Sequence, residues 1–78
     1  MSKQLLSPLP GTFYRKPSPD AAPYKNVGDP VAVGDVIGLI EVMKSFNEVH
    51  ADQAGTIKAF AADDEEPVMA GQPLAELE

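Results

Sequence analysis

Pro30-Val31-Ala32-Val33-Gly34-Asp35-Val36-Ile37-Gly38-Leu39-Ile40-Glu41 returns near the end of the chain as Pro67-Val68-Met69-Ala70-Gly71-Gln72-Pro73-Leu74-Ala75-Glu76-Leu77-Glu78. Six of the twelve positions agree in type: a Pro, a Val, a Gly, two Ile/Leu pairs and a Glu, at an offset of 67 − 30 = 37. Gly11-Thr12-Phe13 and Gly55-Thr56-Ile57 form a second, shorter match at an offset of 55 − 11 = 44. Both matches run in the same order, so the chain reads as two similar halves. The offsets differ by 44 − 37 = 7, so the first half carries seven extra residues between Thr12 and Pro30. Pro17-Ser18-Pro19-Asp20-Ala21-Ala22-Pro23 fits that insertion. Its three prolines fix φ, remove ladder donors and stiffen a protruding loop.

The repeated unit predicts strands. Val36-Ile37-Gly38-Leu39-Ile40 is an apolar run between Gly34-Asp35 and Glu41, the pattern of a buried strand. Gly55-Thr56-Ile57-Lys58-Ala59-Phe60 follows the turn-like Asp52-Gln53-Ala54 and sets Thr56 and Lys58 outward, with Ile57 and Phe60 inward. Gly34 and Gly71 occupy equivalent places, where a turn needing positive φ suits them. No segment keeps a helical period over twelve residues. The expected fold is all-β: a flattened β-barrel or sandwich of two pseudo-twofold-related halves, each burying what the other leaves open.

Composition bounds the function. The chain has 78 residues, no cysteine, 44% apolar residues, eight prolines and six glycines. That is one small domain with a real core, no disulfide or thiolate support, and little room for long helices. The net charge of −6 argues against nucleic acid and against an anionic membrane surface as partners. No apolar stretch reaches the 18 or more residues of a membrane span, and Met1-Ser2-Lys3-Gln4 lacks the apolar segment of a secretory signal. A soluble, cytoplasmic domain is the expectation.

Between the matched halves lies Val42-Met43-Lys44-Ser45-Phe46-Asn47-Glu48-Val49-His50. If the chain leaves and re-enters the sandwich here, a hairpin turns near Met43-Lys44. By the pseudo-twofold it corresponds to the gap between the termini, so Lys44 is expected at the end opposite Met1 and Glu78. An exposed hairpin lysine is common and often means nothing. Met43 beside it is harder to dismiss, because an exposed apolar tip is costly unless something reads it. An ammonium on such a turn is also open to an enzyme that acylates lysine.

Glu41-Val42-Met43-Lys44 resembles the Glu-Ala-Met-Lys motif at which biotin is attached in biotin carboxyl carrier proteins. The flanks agree: Gly11-Thr12-Phe13-Tyr14-Arg15, Pro17-Ser18-Pro19-Asp20-Ala21, Val33-Gly34-Asp35, and Ala51-Asp52 through Gly55-Thr56. The likeness runs from Ser7 to Glu78 and is greatest to the biotinyl domain of the acetyl-CoA carboxylase carrier, whose proline-rich "thumb" matches the insertion. It implies a barrel-sandwich hybrid over residues 1–78, with halves at about 7–41 and 51–78. The thumb would lie at about 17–23 and the biotin hairpin at about 42–45.

The resemblance implies that Lys44 Nζ attacks biotinyl-adenylate in a biotin protein ligase and becomes biotinyl-lysine. Glu41, Met43 and Ser45, with Glu48 as a further candidate, would form the surface that the ligase reads. A strand-end role for Glu41 remains open, since its repeat partner Glu78 precedes no lysine. Pro17, Ser18, Pro19 and Asp20 of the thumb would fold over the biotin ring. A biotin carboxylase subunit would then load CO2 onto biotin, and a carboxyltransferase subunit would deliver it to an acyl-CoA, most naturally acetyl-CoA, giving malonyl-CoA for fatty acid synthesis. The chain itself is thus expected to be a carrier with no catalytic residues and no metal.

Two residues depart from the family pattern. Ser45 stands where a second apolar residue, often Met, usually follows the lysine, and Lys16 stands at the thumb base where Thr is usual. Ser45 removes an apolar contact available to the ligase. His50 has no cysteine partners and reads as structural, and Asp63-Asp64-Glu65-Glu66 reads as a solvated turn rather than a calcium loop. Two other readings stand beside the biotin carrier. One is a lipoyl carrier, although lipoyl domains usually have Asp-Lys-Ala and lack the thumb. The other is an unmodified β-sandwich interaction module.

Overall fold

The apolar run shared by the two repeats becomes a central strand in each of two sheets. A computed structural model describes residues 3–78, and Met1, with its expected place opposite Lys44, lies outside them. The described residues form eight strands and no helix: β1 (Lys3–Leu6), β2 (Gly11–Tyr14), β3 (Pro30–Val31), β4 (Val36–Val42), β5 (Ser45–His50), β6 (Gly55–Phe60), β7 (Glu66–Val68) and β8 (Pro73–Leu77). One sheet has the order β1-β8-β6-β3 and the other β5-β4-β2-β7, with every pair antiparallel. The all-β expectation holds. None of the described residues lies in a helix long and apolar enough to cross a membrane.

The two sheet orders are one order written twice. Adding 44 carries β1 and β2 onto β5 and β6, and adding 37 carries β3 and β4 onto β7 and β8. Each half therefore gives two strands to each sheet, and the halves interlock. Residues 45–50, which show no apolar alternation in the sequence, form the second half's equivalent of β1. Four of the six are polar, as suits a sheet edge, and of the six only Val49 is buried.

The turns repeat as closely as the strands. Gly34 N–H donates to Ala51 O at 2.8 Å and Gly71 N–H to Ser7 O at 2.8 Å. In return Ala51 N–H donates to Asp35 O and Ser7 N–H to Gln72 O, both at 2.8 Å. Gly34 and Gly71 take φ of 95° and 82°, the left-handed conformation that both turns demand. Bulges fall at matching places too, between Val36 and Gly38 opposite β5 and between Leu5 and Leu6 opposite β8.

Phe13, Leu5, Ile37, Ile40, Ile57, Leu74 and Leu77 are fully buried between the sheets. Phe60 also packs on this core, because a bulge between Ile57 and Ala59 shifts the alternation of β6. Close approach is part of the packing. A Cβ at Gly38 would lie 2.5 Å from the edge of Phe13 and 2.6 Å from Tyr14 O. The β4 backbone thus serves as one wall of the Phe13 pocket, and any larger residue at 38 would push β2 away.

One charged side chain ties the turn before β4 to the segment before β3. The Asp35 carboxylate accepts the Ala32 N–H at 2.9 Å and meets Lys25 Nζ at 3.2 Å, while Lys25 Nζ donates to Pro30 O at 2.9 Å. The backbone hydrogen bond first, and Lys25 second, hold the Asp35 pKa below its usual 3.8. A depressed folded-state value adds stability above the unfolded pKa and loses it as pH falls through the folded one. Between pH 5 and pH 3, the Tm of the Asp35→Asn variant is therefore expected to fall less than that of the natural protein. A thermal melt series by circular dichroism reads this, and parallel curves would refute it. In the second half neutral Gln72 makes the same bond, with Met69 N–H to Oε1 at 3.0 Å, so the charge is not needed for the turn to form.

Candidate functional site

β4 and β5 join through a two-residue turn, Met43-Lys44, with Val42 paired to Ser45 on either side. Met43 and Lys44 both have positive φ, 50° and 67°. Positive φ at both central residues is the geometry that matches the twist of a tight hairpin, and Asn-Gly is its usual sequence. For residues with a Cβ it costs roughly 1–2 kcal/mol each. The long β4–β5 ladder sustains it, and so does a side chain: the Glu41 carboxylate Oε2 accepts the Lys44 N–H at 3.1 Å.

Met43 is 93% exposed, and Lys44 and Ser45 are exposed beside it. No core packing accounts for the methionine. Glu41 is half-buried, placed on β4 opposite Thr12 and Phe46. Its repeat partner Glu78 follows β8, so the hairpin tip and the C-terminal end occupy equivalent positions of the two halves.

The proline-rich segment forms a loop between Arg15 and Tyr24, closed at its base by Tyr24 N–H to Arg15 O at 2.9 Å and turned within by Ala21 N–H to Ser18 O at 3.1 Å. Arg15 anchors that base. Its guanidinium lies 4.0 Å over the Phe60 ring and donates to Lys25 O at 3.2 Å, while its N–H donates to the Asp64 carboxylate at 2.8 Å. The loop therefore stands on the second half of the molecule as well as the first.

Between this loop and the outer face of the β5-β4-β2 sheet runs a groove of about 340 Å³. Pro17, Ser18 and Pro19 line it on the loop side with Lys16, Tyr14 and Phe46 belong to the sheet, and Asp64 and Glu65 complete it. The Tyr14 and Phe46 rings meet at 5.8 Å between centroids, tilted by 57°. Phe46 is 61% exposed, another large apolar side chain that the core leaves out. Phe46 is two residues beyond Lys44, so the groove begins beside the hairpin tip. Asp20 is exposed and is not among the groove residues.

Sequence reasoning singled out Lys16, Pro17, Ser18 and Pro19, and the structure brings them to one groove. It missed Tyr14, Phe46, Asp64 and Glu65 as lining. Phe46 carried a usable signal, an aromatic residue in an otherwise polar run. Asp64 and Glu65 carried none, because an acidic turn is ordinarily a solvated one. His50 pairs with Glu48 at 3.4 Å and contacts Gly34 O at 3.1 Å, and no group of side chains suited to a metal forms among the described residues.

A family model described as "biotin-requiring enzyme" matches residues 3–77. The chain belongs to that family. It is 46% identical over 70 residues to the biotin carboxyl carrier protein of acetyl-CoA carboxylase 2 of Arabidopsis thaliana, covering 90% of this chain and 28% of that one. It is 44% identical over 72 residues to the biotin carboxyl carrier protein of acetyl-CoA carboxylase of Haemophilus influenzae, covering 92% of this chain and 46% of that one. The chain thus spans less than half the length of either relative. Among solved structures it resembles the urea carboxylase of Kluyveromyces lactis, with a TM-score of 0.77, 27% identity, and coverage of all of this chain and 6% of that one. As a member of the biotin-requiring family, the chain matches that much larger protein over one small domain.

Proposed function

We propose that the domain is a biotin carrier, with biotin joined by an amide bond to Nζ of Lys44. The observation that carries this is the hairpin tip. Lys44 stands exposed on a turn whose strain and methionine neighbour answer no need of the core. The groove fits the group as well: aromatic faces and a proline-stiffened wall adjoin the attachment point, and its volume lies within the range of small-ligand sites.

Biotin, once attached, supplies a ring nitrogen that carries CO2. The chain holds that ring on a rigid tip and offers a sheltered groove beside it. A biotin protein ligase adds the group, a biotin carboxylase subunit loads it, and a carboxyltransferase subunit unloads it to an acyl-CoA. The names of the relatives favour acetyl-CoA, and hence malonyl-CoA for fatty acid synthesis. Tethering gives the ring a high effective concentration at both partner sites. Glu41, Met43 and Ser45 form the ligase-facing surface, and Pro17, Ser18, Pro19 and Asp20 form the thumb.

The reading is tested by intact mass and streptavidin capture of the protein from cells with active biotin ligase. A mass increase of one biotinyl group is the expected result. A lipoyl mass, or a uniformly unmodified chain, would overturn it in favour of a lipoyl carrier or an unmodified module.

Glu41 also has a positioning role at the turn. Its carboxylate bond to the Lys44 N–H is charge-assisted, and such bonds contribute roughly 1.5–3 kcal/mol. In the half-exposed setting of the tip the lower end applies. The Glu41→Ala variant is expected to take up biotin with an initial rate lowered about tenfold and with faster amide exchange at Lys44. Unchanged exchange at Lys44 would show that Glu41 acts on the ligase alone.

A further inference from the structure

Where the two halves agree, the pattern reflects what the fold needs, and a strained residue standing where the other half uses glycine needs another cause. The turn before β3 uses Gly28 in the left-handed conformation, φ 95°, with its N–H donating to Ile57 O at 2.8 Å. The equivalent position before β7 is 28 + 37 = 65. There Glu65 has φ 62°, and its N–H donates to Phe13 O at 2.6 Å. A side chain is disfavoured in that conformation, so glycine would make this turn with less strain.

Glu65 lines the groove, and so does Lys16. Neither the Lys25–Asp35 nor the His50–Glu48 ion pair involves them. Neighbouring Asp64 is already engaged by the Arg15 N–H. The groove therefore brings a carboxylate-bearing residue, an ammonium-bearing residue and two aromatic rings together.

We infer that Glu65 is a ligand-facing acceptor: its carboxylate receives an N–H of the ureido ring tethered at Lys44, docked in the groove floored by Tyr14 and Phe46. This rests on the biotin-carrier reading. The ring presents N–H donors and a carbonyl along one edge and an apolar sulfur ring along the other. The carboxylate of Glu65 matches the donors, the ammonium of Lys16 matches the carbonyl, and the aromatic floor matches the apolar side. Hydrogen bonds to an ionised acceptor are the stronger kind, and one of them gives reason to keep a strained residue where glycine would serve the turn better.

The test uses the full isotope-labelled chain with and without biotin on Lys44, after intact mass has verified the modification. In the natural protein, biotin attachment is expected to shift the backbone amide resonances of Ser18, Phe46 and Glu65. In Glu65→Gly the unmodified chain keeps or raises its Tm, while the biotin-induced shifts at Ser18 and Phe46 largely collapse. In Glu65→Gln, which keeps the side-chain length and loses the charge, the same shifts shrink. Full shifts in Glu65→Gly, or a clear fall in its Tm, would overturn the inference, the latter because Glu65 would then serve the fold. A chain without biotin by mass overturns the carrier reading and the inference together, and that failure is visible before any resonance is recorded.

Discussion

Replacing Lys44 by arginine is expected to abolish biotin incorporation while leaving Tm unchanged. The nucleophile must be a neutral amine, and the arginine guanidinium stays protonated at any pH a ligase tolerates. The loss is therefore complete rather than partial. The fold should not respond, because Lys44 is exposed at a turn, its side chain is not part of the core, and arginine meets the left-handed backbone as lysine does. Streptavidin blotting and intact mass read the first result, and a thermal melt reads the second. Residual labelling of the Lys44→Arg chain would place the acceptor on another lysine and remove the hairpin from the site. The chain has other lysines for this comparison, including Lys16 in the groove and Lys25 in its ion pair with Asp35.

Truncating Phe13 to alanine should have the opposite signature, a large loss of stability with the hairpin chemistry intact in whatever fraction remains folded. Phe13 has no exposed surface and is among the largest of the fully buried side chains. It meets the face of β4 where Gly38 leaves room for it. Emptying such a site costs roughly 3–5 kcal/mol. A domain of this length is stable by about 4–12 kcal/mol in all, from ~0.05–0.15 kcal/mol per residue. The expected drop in Tm is at least about 12 °C, and the low end of the stability range predicts an unfolded chain at room temperature. Urea or thermal unfolding measures it. A change below about 1 kcal/mol would mean that the two sheets collapse onto the vacated space, contrary to the close β2–β4 approach at Gly38.

These two variants separate what the two repeated halves share from what only one of them has. Phe13 and Ile57 are equivalent residues and both are buried, because both halves must fill the same core. Lys44 has no equivalent among the described residues. The left-handed glycines at 34 and 71 follow from the shared requirement, and Glu65 opposite Gly28 departs from it. The proline-rich loop and the left-handed Glu65, both of which only one half has, meet at the same groove.

Much of this was legible in the residues. The twelve-residue repeat set the all-β architecture, since an apolar run of strand length between glycine turns has few other uses. The difference of seven between the two offsets located the proline-rich insertion. Met43 beside Lys44 drew attention to the hairpin, because an exposed methionine at a tip is costly without a reader, and the likeness of Glu41-Val42-Met43-Lys44 to the biotin-attachment motif made Lys44 the proposed attachment point. These signals are local: each depends on residue type and spacing along a few positions.

What the tertiary structure alone decided depends on partners far apart in sequence. The halves interlock across two sheets because hydrogen-bond partners such as Gly34 with Ala51 and Gly71 with Ser7 are separated by 17 and 64 residues, a choice that no local pattern encodes. Ser45–His50 became a strand for the same reason: β4 supplies its ladder, although its own side chains show no alternation. The Met43-Lys44 turn carries neither asparagine nor glycine, so its left-handed backbone is imposed by strand twist and the Glu41 bond. The groove joins residue 14, the loop at 16–19, residue 46 and residues 64–65 through packing of the thumb base on Phe60 and Asp64. Patterning and turn chemistry pointed to the central strands and to the hairpin that carries the lysine, and long-range pairing decided which strands join them and what surrounds the lysine.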